Sequence, residues 1–171
     1  MGVIVLNTTK NPTIVNDIAH ENIHNKNMFD WQKIFFSVAD DDYIYLSLRP
    51  QTKEMHLIVT IEAEGKAIFK SYSDTTWTAD GTEGDTFNRY INDAPDADSK
   101  IYYGGIVDTL GDQRFDKLIL GGTGPRSTGS TSSDRIESVL QPLKELTIAV
   151  QNISGLAKDF GMSIEWYEVQ E

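Results

Sequence analysis

Cysteine is absent from all 171 residues, which removes disulfide staples, thiolate metal sites and cysteine nucleophiles at once. Positive charge is scarce as well. Fifteen basic side chains face 26 acidic ones, a net charge of −11 spread along the whole chain. Such a field repels phosphate backbones, so no nucleic-acid partner is expected. No apolar run approaches the roughly 20 residues of a membrane span, and the first residues lack the basic, apolar, small-residue order of a signal peptide. The chain is therefore expected to be a mature, soluble protein with no membrane partner. Apolar residues make up 39%, slightly lean, yet a chain of this length buries roughly 70% of its unfolded surface without a metal or disulfide.

What the chain has instead is alternation. Phe160, Met162, Ile164 and Trp166 are apolar, while Asp159, Gly161, Ser163 and Glu165 between them are polar or small. That is the period of a half-buried strand. Leu146, Ile148 and Val150 alternate in the same way upstream, and Asn152-Ile153-Ser154-Gly155 carries turn chemistry, so the spacing predicts a terminal antiparallel hairpin. A second hairpin is predicted where Met55, Leu57, Val59 and Ile61 are followed by Glu64-Gly65-Lys66 and by Ala67 to Tyr72. Ile34 to Val38 and Tyr43 to Leu48 read as strands joined by Asp40, Asp41 and Asp42, with Arg49-Pro50 stopping the second.

Elsewhere the pattern is looser. Ser73 to Ser99 reads as a polar loop region with one short strand, anchored by Phe87 and Tyr90. Ile101 to Val107 and Phe115 to Leu120 suit strands, the first weakened by Gly104 and Gly105. Gly121 to Ser133 is a low-complexity loop. Ile136, Val139 and Leu140 suit a helical turn or a bent strand ended by Pro142, and Val3 to Leu6 an edge strand or docking arm. About eight short strands with scarcely any helix predict an all-β fold. The expected architecture is an antiparallel two-sheet β-sandwich, jelly-roll-like, with long polar loops. It consists of an extended N-terminal segment over 1–29 and the sandwich over 30–171, in a single compact unit.

Four motifs bear on chemistry. His20-Glu21-Asn22-Ile23-His24 matches HExxH, in which two histidines one helical turn apart bind zinc and the glutamate activates water. The motif needs a helix and a third ligand. Asn22, Asn25 and Asn27 are weak helix formers, and the sequence around them is β-like. The alternative is that His20, Glu21 and His24 form hydrogen bonds within a packed N-terminal segment. Gly124 to Thr131 has P-loop glycine spacing, but Ser130 stands where the lysine belongs and no βαβ pattern surrounds it. The Asp-rich stretches Asp40 to Asp42, Asp80 to Asp85 and Asp93 to Asp98 lack EF-hand order and read as solvated turns. Asn7-Thr8-Thr9 and Asn152-Ile153-Ser154 are glycosylation sequons. Among the aromatics, Trp166 is in phase with the core, whereas Trp77 in a polar stretch is the one plausible sugar-stacking platform.

Three segments together resemble the capsid decoration, or cement, proteins of tailed bacteriophages. His20 to His24 followed by Met28-Phe29 resembles that family's H-E-x-H segment and its following aromatic. Pro50-Gln51-Thr52-Lys53-Glu54-Met55-His56 resembles its P-x-T-x-K-W-A-H stretch, with Met55 near the tryptophan position. Leu143 to Tyr167 resembles its terminal hairpin, with Asn152, Ser154, Gly155 and Ala157 in the turn and Trp166-Tyr167-Glu168 closing it. The resemblance implies a non-enzymatic virion structural protein with a β-sandwich fold, commonly a homotrimer, on the exterior of the capsid. Its partners would be the major capsid protein and itself, with capsomer joints stabilised. No catalytic, cofactor-binding or metal-ligating residue is carried over, and no cofactor is implied. His20, His24 and His56 would pack at the N-terminal end of the sandwich or at a subunit contact. Two other readings stay open, a head-fibre or tail component that binds glycans and an HExxH zinc peptidase.

Overall fold

A strand with one apolar face needs a second sheet in front of it as well as a neighbour beside it, and the chain meets that need by crossing between two sheets. In the computed structural model the described residues are 18–92, 94–121, 129–130 and 138–169. The arm expected at Val3 to Leu6, the sequon at Asn7 and most of the P-loop-like segment lie outside them. A short helix, α1 (Ile18–His24), leads into β1 (Met28–Val38), β2 (Tyr43–Arg49), β3 (Glu54–Ala63) and β4 (Ala67–Ser73). Five strands of two to four residues follow: β5 (Thr76–Ala79), β6 (Thr82–Glu83), β7 (Phe87–Asn88), β8 (Lys100–Tyr103) and β9 (Ile106–Thr109). The chain then continues through β10 (Asp112–Ile119), β11 (Gly129–Ser130), β12 (Ser138–Leu140), β13 (Leu146–Asn152) and β14 (Lys158–Val169).

One sheet has the order β11-β3-β14-β1-β7, with β12 also on β3, and the other the order β10-β4-β13-β2-β8-β6. All pairs are antiparallel, and β5 with β9 forms a separate ribbon. The pairing is nested: β1 with β14, β2 with β13, β3 with β12 and β4 with β10. That is one long hairpin rolled up, the order of a jelly roll. The all-β sandwich is thus as expected, and the core lies between the sheets. Phe29, Trp31, Met55, Leu57, Ile61, Phe160, Met162, Ile164 and Trp166 from one sheet face Ile44, Leu46, Leu48, Ile101, Ile148 and Val150 from the other.

Both predicted hairpins are corrected. β3 and β4 flank Glu64-Gly65-Lys66 but lie in opposite sheets, and so do β13 and β14. The connection between β1 and β2 crosses in the same way. These turns are arches, and they bond one another at one end of the sandwich. Ile153 N–H donates to Lys66 O at 3.0 Å, Glu64 N–H to Asp159 O at 3.2 Å and Asp41 N–H to Asn152 O at 2.9 Å. Further differences are local. The described residues of 73–99 hold three short strands rather than one, Ser138 to Leu140 takes the strand alternative, and Gly104 and Gly105 separate β8 from β9. β1 begins at Met28, inside the segment assigned to the N-terminal arm, and Phe29 is buried in the core.

Candidate functional site

The HExxH segment does form a helix, contrary to the expectation from its asparagines. Only seven residues long, α1 ends in a Schellman motif: Asn27 N–H reaches Asn22 O at 2.9 Å and Lys26 N–H reaches Ile23 O at 3.0 Å, with Lys26 at φ 61°. Tertiary bonds then hold the exit, since Asn88 Nδ2 donates to Lys26 O at 2.8 Å and Glu168 N–H to Asn27 O at 3.1 Å. His20 and His24 are exposed on one face, with their Nε2 atoms 3.1 Å apart and the rings T-shaped. Among the described residues no group of three or more His, Cys, Asp or Glu side chains is placed to hold a metal. His56 lies on β3, stacked on Tyr167 with ring centroids 4.6 Å apart, and its Nδ1 meets the Tyr167 hydroxyl at 3.1 Å.

Parts of the three segments singled out at sequence level, residues 28–29, 50–56, 143 and 166–168, converge at one end of the sandwich, while the turn over 152–157 lies among the arches at the other. Phe29 stacks on Trp166 at 5.6 Å, and Met28 pairs with Tyr167 across β1 and β14. Tyr167 in turn pairs with His56 of β3. Leu143 N–H donates to Pro50 O at 3.0 Å, tying the connection after β12 to the β2–β3 loop. The node of this junction is Glu168, which at sequence level has no role beyond closing the terminal hairpin. Its carboxylate is fully buried and accepts from Ser99 N–H at 2.8 Å, Asp98 N–H at 3.1 Å and the Trp166 indole at 3.3 Å, with Lys53 Nζ at 3.5 Å. A signal for it existed, because Glu168 is in phase with Phe160, Met162, Ile164 and Trp166 and so had to point inward.

Asp98 completes the junction by capping the β2–β3 loop. Its carboxylate accepts the backbone N–H groups of Gln51, Thr52 and Lys53 at 3.2, 2.6 and 3.1 Å and the Thr52 hydroxyl at 2.8 Å. Burial pushes this carboxyl up, but these hydrogen bonds outweigh it and hold the group below the usual carboxylate range. One aspartate of each of the other two Asp-rich stretches also accepts from within the chain: Asp40 takes Gly155 N–H at 2.7 Å and Asp80 pairs with Arg49 at 2.7 Å.

Two other motifs are reassigned by burial. Trp77 is not an open platform. It is half-buried on β5, its ring set edge-on against Tyr45 at 6.4 Å and its indole N–H donated to Glu145. Arg49 bridges the same Glu145 to Asp80, so the ribbon of β5 and β9 is pinned to the outer face of the second sheet. Asn152, the second sequon asparagine, is fully buried, and its amide donates to Val38 O, Ala39 O and Leu156 O. That leaves it inaccessible to a glycan.

At the same end as the junction, apolar side chains stand out in solvent: Ile91 is 92% exposed, Leu143 84% and Phe87 59%. No helix among the described residues is long and apolar enough to cross a membrane. No protein-family model matches the chain, and no curated protein matches it either.

Proposed function

We propose that this chain is a capsid decoration protein of a tailed phage, attached to the outer surface of the major capsid protein and stabilising the joints between capsomers. The observation that carries the reading is the convergence described above. Parts of all three segments that carry the family resemblance, residues 28–29, 50–56, 143 and 166–168, build one folded junction through Phe29, His56, Trp166, Tyr167 and Glu168. They resemble the family as parts of one structural unit, with aromatic stacking and buried hydrogen bonds as their work.

The chain entering β1 and the loop after β7 are neighbours here. Lys26 lies over the Tyr90 ring at 5.0 Å, and Asn88 pairs with Phe29, so the chain before β1 and the loop after β7 form one face. Ile91 and Phe87 project from it. The work of such a protein is burial of complementary surface, for which about 1,600 Å² suffices. A homotrimer would add avidity by engaging three sites at once. Quantitative mass spectrometry of purified virions tests the reading. The expected result is a copy number in fixed ratio to the major capsid protein. A handful of copies per particle assigns the chain to a head fibre, portal or tail instead, and its absence from virions removes the proposal.

A further inference from the structure

We propose that His20 and His24 form a two-ligand site for a borderline transition-metal dication, Cu²⁺, Ni²⁺ or Zn²⁺, on the surface of α1. The inference is independent of the capsid reading. Its basis is the bite of the pair: the two Nε2 atoms are 3.1 Å apart and both rings are exposed. Two imidazole nitrogens about 2.0–2.1 Å from one ion are about 3.3 Å apart at a tetrahedral angle and about 2.9 Å apart at a right angle. The observed spacing falls between the two, so both rings can ligate with small side-chain adjustments.

Three further features favour a cation there. The helix exit is locked by the Schellman bonds and by Asn88 and Glu168, so the pair is presented on an anchored turn. His20 and His24 stand one helical turn apart on the same exposed face of α1, with their rings edge-on at 4.6 Å. Imidazole also selects Cu, Ni and Zn over Ca and Mg. Without metal, the same contact is a hydrogen bond in which one ring N–H donates to the other ring's lone pair. For both Nε2 atoms to ligate, each ring carries its N–H on Nδ1 instead.

This arrangement differs from a peptidase centre, since no third protein ligand stands near the pair among the described residues. The described residues leave the remaining coordination positions open to water or to groups of another molecule. Titration of the full chain with Cu²⁺, followed by d–d absorption and by electron paramagnetic resonance for nitrogen coupling, tests the site. One equivalent should bind at micromolar concentration with two nitrogen ligands, more tightly than Ni²⁺ or Zn²⁺. His20→Ala and His24→Ala should each weaken it at least about tenfold, because the second ring's attachment is intramolecular. His56→Ala, at a ring already stacked on Tyr167, serves as control and should leave it unchanged. Circular dichroism confirms that each variant is folded, and His20→Gln replaces any alanine variant that is not. Absence of binding up to about 100 μM free Cu²⁺, or binding unaffected by both substitutions in folded protein, would overturn the proposal.

Discussion

Asn152 is the residue on which most local structure depends. Its side-chain amide donates to Val38 O at 2.8 Å, Ala39 O at 3.2 Å and Leu156 O at 2.8 Å, while its Oδ1 accepts from the backbone and hydroxyl of Ser154. Asn152→Ala strands several of these buried groups at once, and each such group costs about 1–3 kcal/mol. A loss of about 2–4 kcal/mol is expected, read as a lower urea midpoint with an unchanged m-value. Glu168→Ala should cost about 3–5 kcal/mol in the same experiment, since Ser99 N–H, Asp98 N–H and the Trp166 indole lose their buried acceptor. Asp98 adds a pH dependence. Its folded carboxyl lies below the usual range, so the unfolded chain, near about 3.9, takes up the proton first. The stabilisation is complete above the unfolded value and is lost as pH falls through the folded one. Asp98→Asn should therefore narrow its stability gap to the wild type between about pH 6 and pH 2. A gap that stays constant over that range would remove Asp98 from the acid limb.

The elements show how far periodicity reaches. Met55, Leu57, Ile61 and the even positions from Phe160 to Trp166 are buried as their alternation requires. The strands themselves were therefore legible. Their partners were not, because alternation states only which face is covered. A turn such as Glu64-Gly65-Lys66 is compatible with a neighbour alongside or with a crossing to the facing sheet. The deciding contacts are between distant arches. A Cβ on Gly65 would meet Ser154 Cβ at 2.7 Å, a closeness that ties the β3–β4 arch to the β13–β14 arch. Gly65→Ala should cost about 1–3 kcal/mol from overpacking. Gly155→Ala, where the added carbon meets nothing but φ is +80°, should cost about 1 kcal/mol from backbone strain. Thermal melts of the two variants separate an arch packed on its neighbour from one that merely turns. The HExxH helix was illegible for a similar reason: Asn22 and Asn27 are poor helix formers, but their backbones close the Schellman motif, and the sheet then holds the exit.

At the scale of the whole molecule, charge and exposed apolar surface make different predictions about attachment to a capsid. On the proposed capsid reading, a net charge of −11 would steer the chain toward a basic outer surface. That attraction acts on the association rate and is screened as the Debye length shrinks from about 10 Å at 0.1 M salt to about 3 Å at 1 M. Ile91 and Leu143, 92% and 84% exposed, would act instead on dissociation if the proposed contact covers them, because buried apolar area is returned to water only when a complex opens. Surface plasmon resonance on immobilised capsids lacking the chain separates the two contributions. Raising NaCl from about 0.05 to about 0.5 M should slow association several-fold and leave dissociation nearly unchanged. Ile91→Asp and Leu143→Asp should each speed dissociation about tenfold or more, the loss expected when a central apolar contact is replaced by a charge. Association indifferent to salt would remove steering by net charge. Dissociation unaffected by both substitutions would place the capsid contact away from the end of the sandwich where Phe29, His56 and Glu168 meet.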